Sequence, residues 1–212
     1  MQRALELAAL ARAHCHPNPM VGCVLVKGEQ IVGEGWHRQA GTAHAEVHAL
    51  RQAGEAARGA TAYVTLEPCS HWGRTPPCAT ALMEAGVAKV VIAMPDPNPV
   101  AHGGVTALRQ AGIDVILGDG VREAQNLNER WLTFVQHRRP FIHAKIAMSL
   151  DARVATAAGE SQWITGPAAR RMGHGWRDSH EAILVGANTL RRDDPSLTCR
   201  LDAAALDGPL PV

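Results

Sequence analysis

Four residues in the first half of the chain have the types and spacing to do chemistry: His44 and Glu46, one residue apart, then Cys69, then Cys78 nine positions later. One imidazole and two thiolates form a ligand set for zinc that leaves a fourth position to water, and the metal lowers that water's pKa enough to give hydroxide near neutral pH. Hydrolytic removal of an amino group from a nitrogen heterocycle needs such a nucleophile. It also needs a carboxylate that is not a ligand, to take the water's proton and deliver protons to the ring nitrogen and the departing ammonia. Glu46 suits that task. Two blander readings stand beside this one. The site could be closed and structural, with Cys23, His48 or His71 as a fourth ligand, or Cys69 and Cys78 could be ordinary buried thiols. His48 lies one helical turn from His44, but Ala45 stands where a metalloprotease pattern requires glutamate, so His48 is expected to be structural. Cys15, Cys23 and Cys199 have no partner at ligand spacing and read as packing or surface residues.

The elements that must position these groups can be read from periodicity. Residues 5–13 read as an amphipathic helix stopped by His16-Pro17-Asn18-Pro19. Residues 21–26 and 31–36 read as a hairpin turning through Lys27-Gly28-Glu29-Gln30. A helix over 43–53, with Thr42 as its expected N-cap, would carry His44 and Glu46 in its first turn. There the helix dipole also favours hydroxide. A strand over 62–66 leads to Cys69, and Cys78 precedes a helix over 79–85. Strand 89–94, helix 105–111 and strand 113–117 extend the pattern, giving an α/β fold, a three-layer α/β/α sandwich around a mixed sheet. One helix over 121–135 ends in His137-Arg138-Arg139-Pro140, where a domain boundary is expected. Beyond it, strands over 141–148 and 182–185 flank a helix over 167–177, the start of a second α/β unit. The expected domains are 1–139 and 140–212.

Composition narrows the function classes. An apolar fraction of 46% with 19% charged residues describes a chain that buries a core and excludes a disordered one. Twenty-one basic against twenty acidic residues leave no overall footprint of a nucleic-acid binder. No apolar run approaches the roughly 20 residues that span a bilayer. Five cysteines without a signal-like N-terminus favour a reducing, cytoplasmic setting. The expectation is therefore a cytoplasmic enzyme with a small-molecule substrate and neither nucleic acid nor membrane as partner.

The string Glu67-Pro68-Cys69-Ser70-His71-Trp72-Gly73-Arg74-Thr75-Pro76-Pro77-Cys78, with His16-Pro17-Asn18-Pro19 and His44-Ala45-Glu46, closely resembles the bifunctional deaminase/reductase family of riboflavin biosynthesis. The eight residues between the two cysteines are distinctive, because cytidine-type deaminases place only two there. The resemblance implies a cytidine-deaminase-like domain that uses Zn2+ to deaminate a diaminopyrimidinone bearing a phosphoribosylamino group. A dihydrofolate-reductase-like domain would then reduce the ribosyl group with NADPH. It implies that His44, Cys69 and Cys78 hold the metal, that Glu46 is catalytic, and that Asn18, His71 and Arg74 contact the pyrimidine ribotide. Arg74 stands where the family often has lysine, which keeps the charge and changes its geometry.

In the second segment the resemblance rests on Lys145 to Asp151, Gly159 to Thr165 and Asp193 to Thr198. It implies that Ala147, Trp163, Thr189 and Asp193 face NADP, and that Ser161, Arg177, Leu197 and Arg200 face the ribotide. Ala152 stands where the family shows glycine, and the family's glycine-containing cofactor loop is missing from these 212 residues. The second segment thus reads as an incomplete, N-terminal part of the reductase domain. Its open strand edges, together with the resemblance, lead to the expectation of a homo-oligomer. Two rivals remain: another zinc deaminase acting on a free base, nucleotide or tRNA, and a zinc-stabilised binding module without turnover. A basic ring around the pocket would favour the tRNA enzyme, and a fourth protein ligand the module.

Overall fold

The computed structural model describes residues 1–12, 14–73 and 76–201. The chain divides into two compact units, Met1–Phe141 and Ile142–Val212.

The first unit is built on five strands, β1 (Gly22–Lys27), β2 (Gln30–Trp36), β3 (Thr61–Leu66), β4 (Lys89–Met94) and β5 (Asp114–Leu117), in the order β2-β1-β3-β4-β5. β1 pairs antiparallel with both β2 and β3, whereas β3, β4 and β5 run parallel. The sheet is therefore mixed, as the pattern of a hairpin followed by strand–helix alternation predicts. Its helices are α1 (Gln2–Ala9), α2 (Ala45–Ala53), α3 (Cys78–Glu84), α4 (Gly104–Gln110), α5 (Val121–Leu127) and α6 (Glu129–His137).

Alternation along β1 shows why two helical layers form. Cys23 and Leu25 belong to a cluster with Ala45 and Ala49 of α2, Leu82 of α3 and Leu108 of α4. Val24 packs with Ala4 and Leu7 of α1 on the other side, since successive strand side chains leave opposite faces. Leu5, Leu66, Met94 and Ala124, flanked by Trp131 and Leu132, complete that second layer. Leu25, Leu82, Ile92 and Leu108 are fully buried, each stabilising the fold by about 1.5–3 kcal/mol through area removed from water.

Small residues decide how closely α2 approaches β2. A Cβ on Gly33 would lie 2.2 Å from the Ala49 carbonyl oxygen, and one on Gly35 would lie 2.3 Å from that of Ala45. Only glycine in the strand lets the alanine face of the helix rest directly on the backbone, and this seats the first turn of α2 at the sheet end.

Several expectations are corrected. The N-cap of α2 is His44 rather than Thr42, whose hydroxyl donates instead to Gln39 O at 2.7 Å. The single helix over 121–135 is two helices meeting at Asn128. The Asn128 side-chain oxygen accepts from Met20 N (2.8 Å), and its Nδ2 donates to Met20 O (2.9 Å). A buried amide used this way competes with helix continuation.

The second unit contains α7 (Pro167–Asp178), opened by proline as expected, and α8 (Ala187–Asp193). The strands expected over 141–148 and 182–185 are not formed. A strand exists through ladder hydrogen bonds, and neither segment has a ladder partner among the described residues. Ala152 takes φ 62°, a left-handed geometry that costs an alanine about 1–2 kcal/mol.

Candidate active site

His44, Glu46, Cys69 and Cys78 meet beside the carboxyl ends of the parallel strands β3 and β4, the end of such a sheet where ligands bind in open α/β folds. His44 caps α2 in extended backbone and Glu46 sits in that helix's first turn. Cys69 lies three residues beyond β3, and Cys78 opens α3. The Cys78 backbone N–H donates to Cys69 Sγ at 3.3 Å and Ala79 N to Cys69 O at 3.1 Å, so the start of α3 holds the cysteine loop in place.

One donor atom from each of His44, Cys69 and Cys78 lies within 4.8 Å of the others. His44 Nδ1 is 3.2 Å from Cys78 Sγ and 3.7 Å from Cys69 Sγ. A tetrahedral ion bonded to nitrogen at about 2.0 Å and to sulfur at about 2.3 Å sets its donors roughly 3.5–3.8 Å apart, so this set fits zinc. Among the described residues no fourth histidine, cysteine or carboxylate joins the group. Cys23 belongs to the hydrophobic core instead.

The electrostatics follow from burial and crowding. Hydrogen bonds from the Cys78 thiol, His44 and the Cys78 backbone pull the Cys69 thiol down to about 4. Donating to Cys69, together with burial, holds the Cys78 proton on. His44 is raised by its hydrogen bond to Cys69. Metal binding to such a cluster releases the protons the ligands share. Glu46, 3% exposed, is raised chiefly by burial. A carboxyl moved toward neutrality is better matched to exchanging protons near the working pH.

A cavity of about 540 Å³ opens over this group, and His44, Glu46 and Cys69 are in its wall. Asn18 and His71 line it, as does His37. The buried His37 accepts from Asn18 Nδ2 through Nε2 (3.0 Å) while its Nδ1 lies 3.3 Å from Ala43 O. This pair of contacts assigns the proton to Nδ1, and burial keeps the ring toward its neutral form. Asp96 and Asn98 line another part, with Trp131, Phe134, Val135 and Arg138 of the α6 segment. Burial, reinforced by Glu67, pushes the Asp96 carboxyl up to about 6.

Of the sequence-derived residues, then, His44, Glu46, Cys69, Asn18 and His71 share one cavity and Cys78 adjoins it, whereas Arg74 lies outside the described residues. Sequence reasoning missed His37, Asp96 and Asn98. A signal was present: Pro-Asn-Pro occurs at 17–19 and again at 97–99, and both asparagines face the same cavity.

In the second unit Ser161, Trp163, Thr189, Asp193 and Arg200 are exposed, and Ala147, Arg177 and Leu197 partly so. Arg170 stacks its guanidinium on the Trp163 ring at 4.4 Å. Arg177 donates to Thr198 O and Arg200 to Thr198 Oγ1, which brings those two cations together.

Comparison with known proteins agrees with this layout. Residues 1–94 match the model of the cytidine and deoxycytidylate deaminase zinc-binding region, and residues 140–210 that of the RibD C-terminal domain. The riboflavin biosynthesis protein RibD of Escherichia coli (strain K12) is 58% identical over 94% of this chain and 55% of its own length. The structure of Acinetobacter baumannii RibD superposes with a TM-score of 0.87 at 50% identity, covering 96% of this chain and 58% of that one. A Thermotoga maritima diaminohydroxyphosphoribosylaminopyrimidine deaminase/5-amino-6-(5-phosphoribosylamino)uracil reductase gives 0.92 at 45% identity, over 96% and 59%. The chain thus spans about 55% of the length of the curated relatives it matches. With 58% identity over 94% of this chain, and matches to both the deaminase zinc-binding region and the RibD C-terminal domain, the chain is a homologue of the riboflavin biosynthesis protein RibD along nearly its whole length.

Proposed function

We propose that the first unit hydrolytically deaminates a diaminopyrimidinone carrying a phosphoribosylamino group, giving the corresponding aminouracil ribotide. The observation that carries this reading is a buried glutamate and a His–Cys–Cys donor set at one cavity, in a chain 58% identical to a RibD protein. Bound zinc would supply a Lewis acid, held by His44, Cys69 and Cys78, that makes water nucleophilic near neutral pH. Glu46 takes one proton from the attacking water and passes it to the ring nitrogen, then takes the second from the hydroxyl now on the ring carbon and delivers it to the leaving amine as the carbonyl forms. Burial serves this role, because it keeps bulk water from the carboxyl and raises its affinity for the proton it must hold between steps. His37, neutral and fixed by Ala43, orients the Asn18 amide, which retains its carbonyl oxygen for a pyrimidine edge. His71 Nδ1, buried and without a hydrogen-bond partner among the described residues, suits a further polar group of the ribotide. Arg74 is assigned to the phosphate.

The domains are assigned as 1–139, the deaminase, and 140–212, the N-terminal part of an NADP-dependent reductase. Ala147, Trp163, Thr189 and Asp193 would face the cofactor, with Ser161, Arg177, Leu197 and Arg200 toward the ribotide. The paired cations Arg177 and Arg200 suit a phosphorylated ligand. We read the protein as a cytoplasmic homo-oligomer, a reading supported by the apolar side chains that Leu150 and Leu184 hold in the open.

The test is ammonia release from the diaminopyrimidinone ribotide by zinc-loaded protein, with Glu46→Ala as control. Release by the parent, and a fall of roughly 100- to 10,000-fold in kcat in the variant at full zinc content, is expected. Equal release by both would remove Glu46 from the mechanism, and release by neither would reject the substrate.

A further inference from the structure

Glu67 follows β3 directly and stands two residues before Cys69. Its side chain is nearly buried, 7% of the residue being exposed, and it makes no salt bridge among the described residues. It accepts three backbone N–H groups instead. Oε1 takes those of Gly103 (2.9 Å) and Val105 (3.0 Å), and Oε2 takes that of Asp96 (3.1 Å). On the other side of Cys69, the Ser70 hydroxyl donates to His102 O at 2.7 Å and Ser70 N to Ala101 O at 3.4 Å.

The segment tied down in this way has its own scaffold. Asp96 Oδ1 accepts from Asn98 N, Asn98 Oδ1 accepts from Val100 N, and Asn98 O accepts from Ala101 N and His102 N. At its far end a Cβ on Gly104 would come within 1.8 Å of Pro68 O, so glycine is what lets the segment lie against the cysteine loop. Asp96, Asn98 and Ala101 line the cavity. One wall of the cavity is therefore fastened to the chain on both sides of a metal-ligand candidate.

We infer that Glu67, seconded by Ser70, is a positioning residue that fixes the Asp96–Ala101 wall relative to Cys69 and so sets how substrate fits, without taking part in proton transfer. The inference rests on the deaminase reading above. A carboxylate receiving N–H groups at both oxygens suits this task because it has acceptors on both sides and no donor to turn toward the backbone. Glutamine would keep an oxygen for Gly103 and Val105 and would turn its NH2 group against the Asp96 N–H.

The experiment compares zinc-loaded parent, Glu67→Gln and Ser70→Ala by steady-state ammonia release, zinc content and amide hydrogen exchange. Losing a charge-assisted attachment outside the reacting atoms should raise KM for Glu67→Gln by about ten- to hundredfold while kcat stays within about threefold and zinc content is unchanged. The Asp96 amide should exchange faster. Ser70→Ala should raise KM by about threefold in the same way, and it carries the test if Glu67→Gln does not fold. An unchanged KM in the folded variants, or a fall in kcat with KM unchanged, overturns the inference while leaving the deaminase reading intact. If the parent releases no ammonia, that reading fails, and the attachment is judged by exchange alone: an Asp96 amide that exchanges at the parent's rate in Glu67→Gln overturns it.

Discussion

Asp96 shows how one side chain can link the cavity to stability. Its carboxyl is raised from about 3.8 to about 6 by burial and by the neighbouring Glu67, against the opposing hydrogen bond from Asn98 N. A raised carboxyl favours the folded state while protonated. Its contribution is therefore fully present below about pH 3.8 and is lost as the pH rises through about 6. Asp96→Asn keeps the oxygen that Asn98 N needs and removes the charge. Its thermal midpoint is thus expected to match the parent's near pH 4 and to exceed it above about pH 7. Scanning calorimetry across that range checks this; a constant difference between the two proteins would contradict it. His37, by contrast, is defined by both ring nitrogens. Its role was hidden in the sequence because nothing in the run Gly35-Trp36-His37-Arg38 reveals that Asn18 will lie beside it.

At the scale of elements, the break between α5 and α6 is tied to the cavity. Asn128 is 2% exposed, and its amide grips both backbone groups of Met20, two residues from Asn18. The helix that begins at Asn128 supplies Trp131, Phe134 and Val135 to the cavity wall. Asn128→Ala would leave the Met20 N–H and C=O without this partner, at a cost of about 1–3 kcal/mol. It should also loosen the Asn18 loop. Urea denaturation should show the lowered midpoint with an unchanged slope, and Asn128→Asp, which keeps the acceptor for Met20 N but sets an oxygen against Met20 O and Ala124 O in a buried site, should fare no better. Periodicity alone could not place this break, since Leu127, Trp131 and Val135 continue a helical stripe straight across it. What interrupts the helix is a contact 108 residues away in sequence.

At the scale of the molecule, the two units differ in how much apolar surface they conceal. The first buries a continuous core on both faces of its sheet. In the second, Leu150 and Leu184 are almost wholly exposed and Ile142, Ile146 and Trp163 mostly so. A metal bound to the folded first unit and not to its unfolded chain adds stability to that unit alone. Removing zinc with a chelator is therefore expected to lower the melting transition of residues 1–141 and to speed amide exchange in α2 and α3. Exchange in α7 and α8, which hold none of the donor residues, should not change. Equal acceleration in both units would show that the metal's stabilisation is not local. Among the described residues no helix is long and apolar enough to cross a membrane.

Three candidate metal donors, the glutamate beside them and the alternation of strand and helix that makes a mixed sheet were legible in the residues alone. These are written in residue types, local spacing and periodicity, and each needs only a short window of chain. The family resemblance likewise rests on contiguous strings around Cys69 and Cys78. Tertiary structure decided which residues from distant segments share the cavity, where the long helix breaks, and which segments of the second unit become strands. The physical reason is common to all three: a hydrogen bond from the Gly103 N–H to Glu67, an amide clasping Met20 or a ladder between strands requires a partner brought by the fold. A segment with strand propensity remains irregular until such a partner lies beside it.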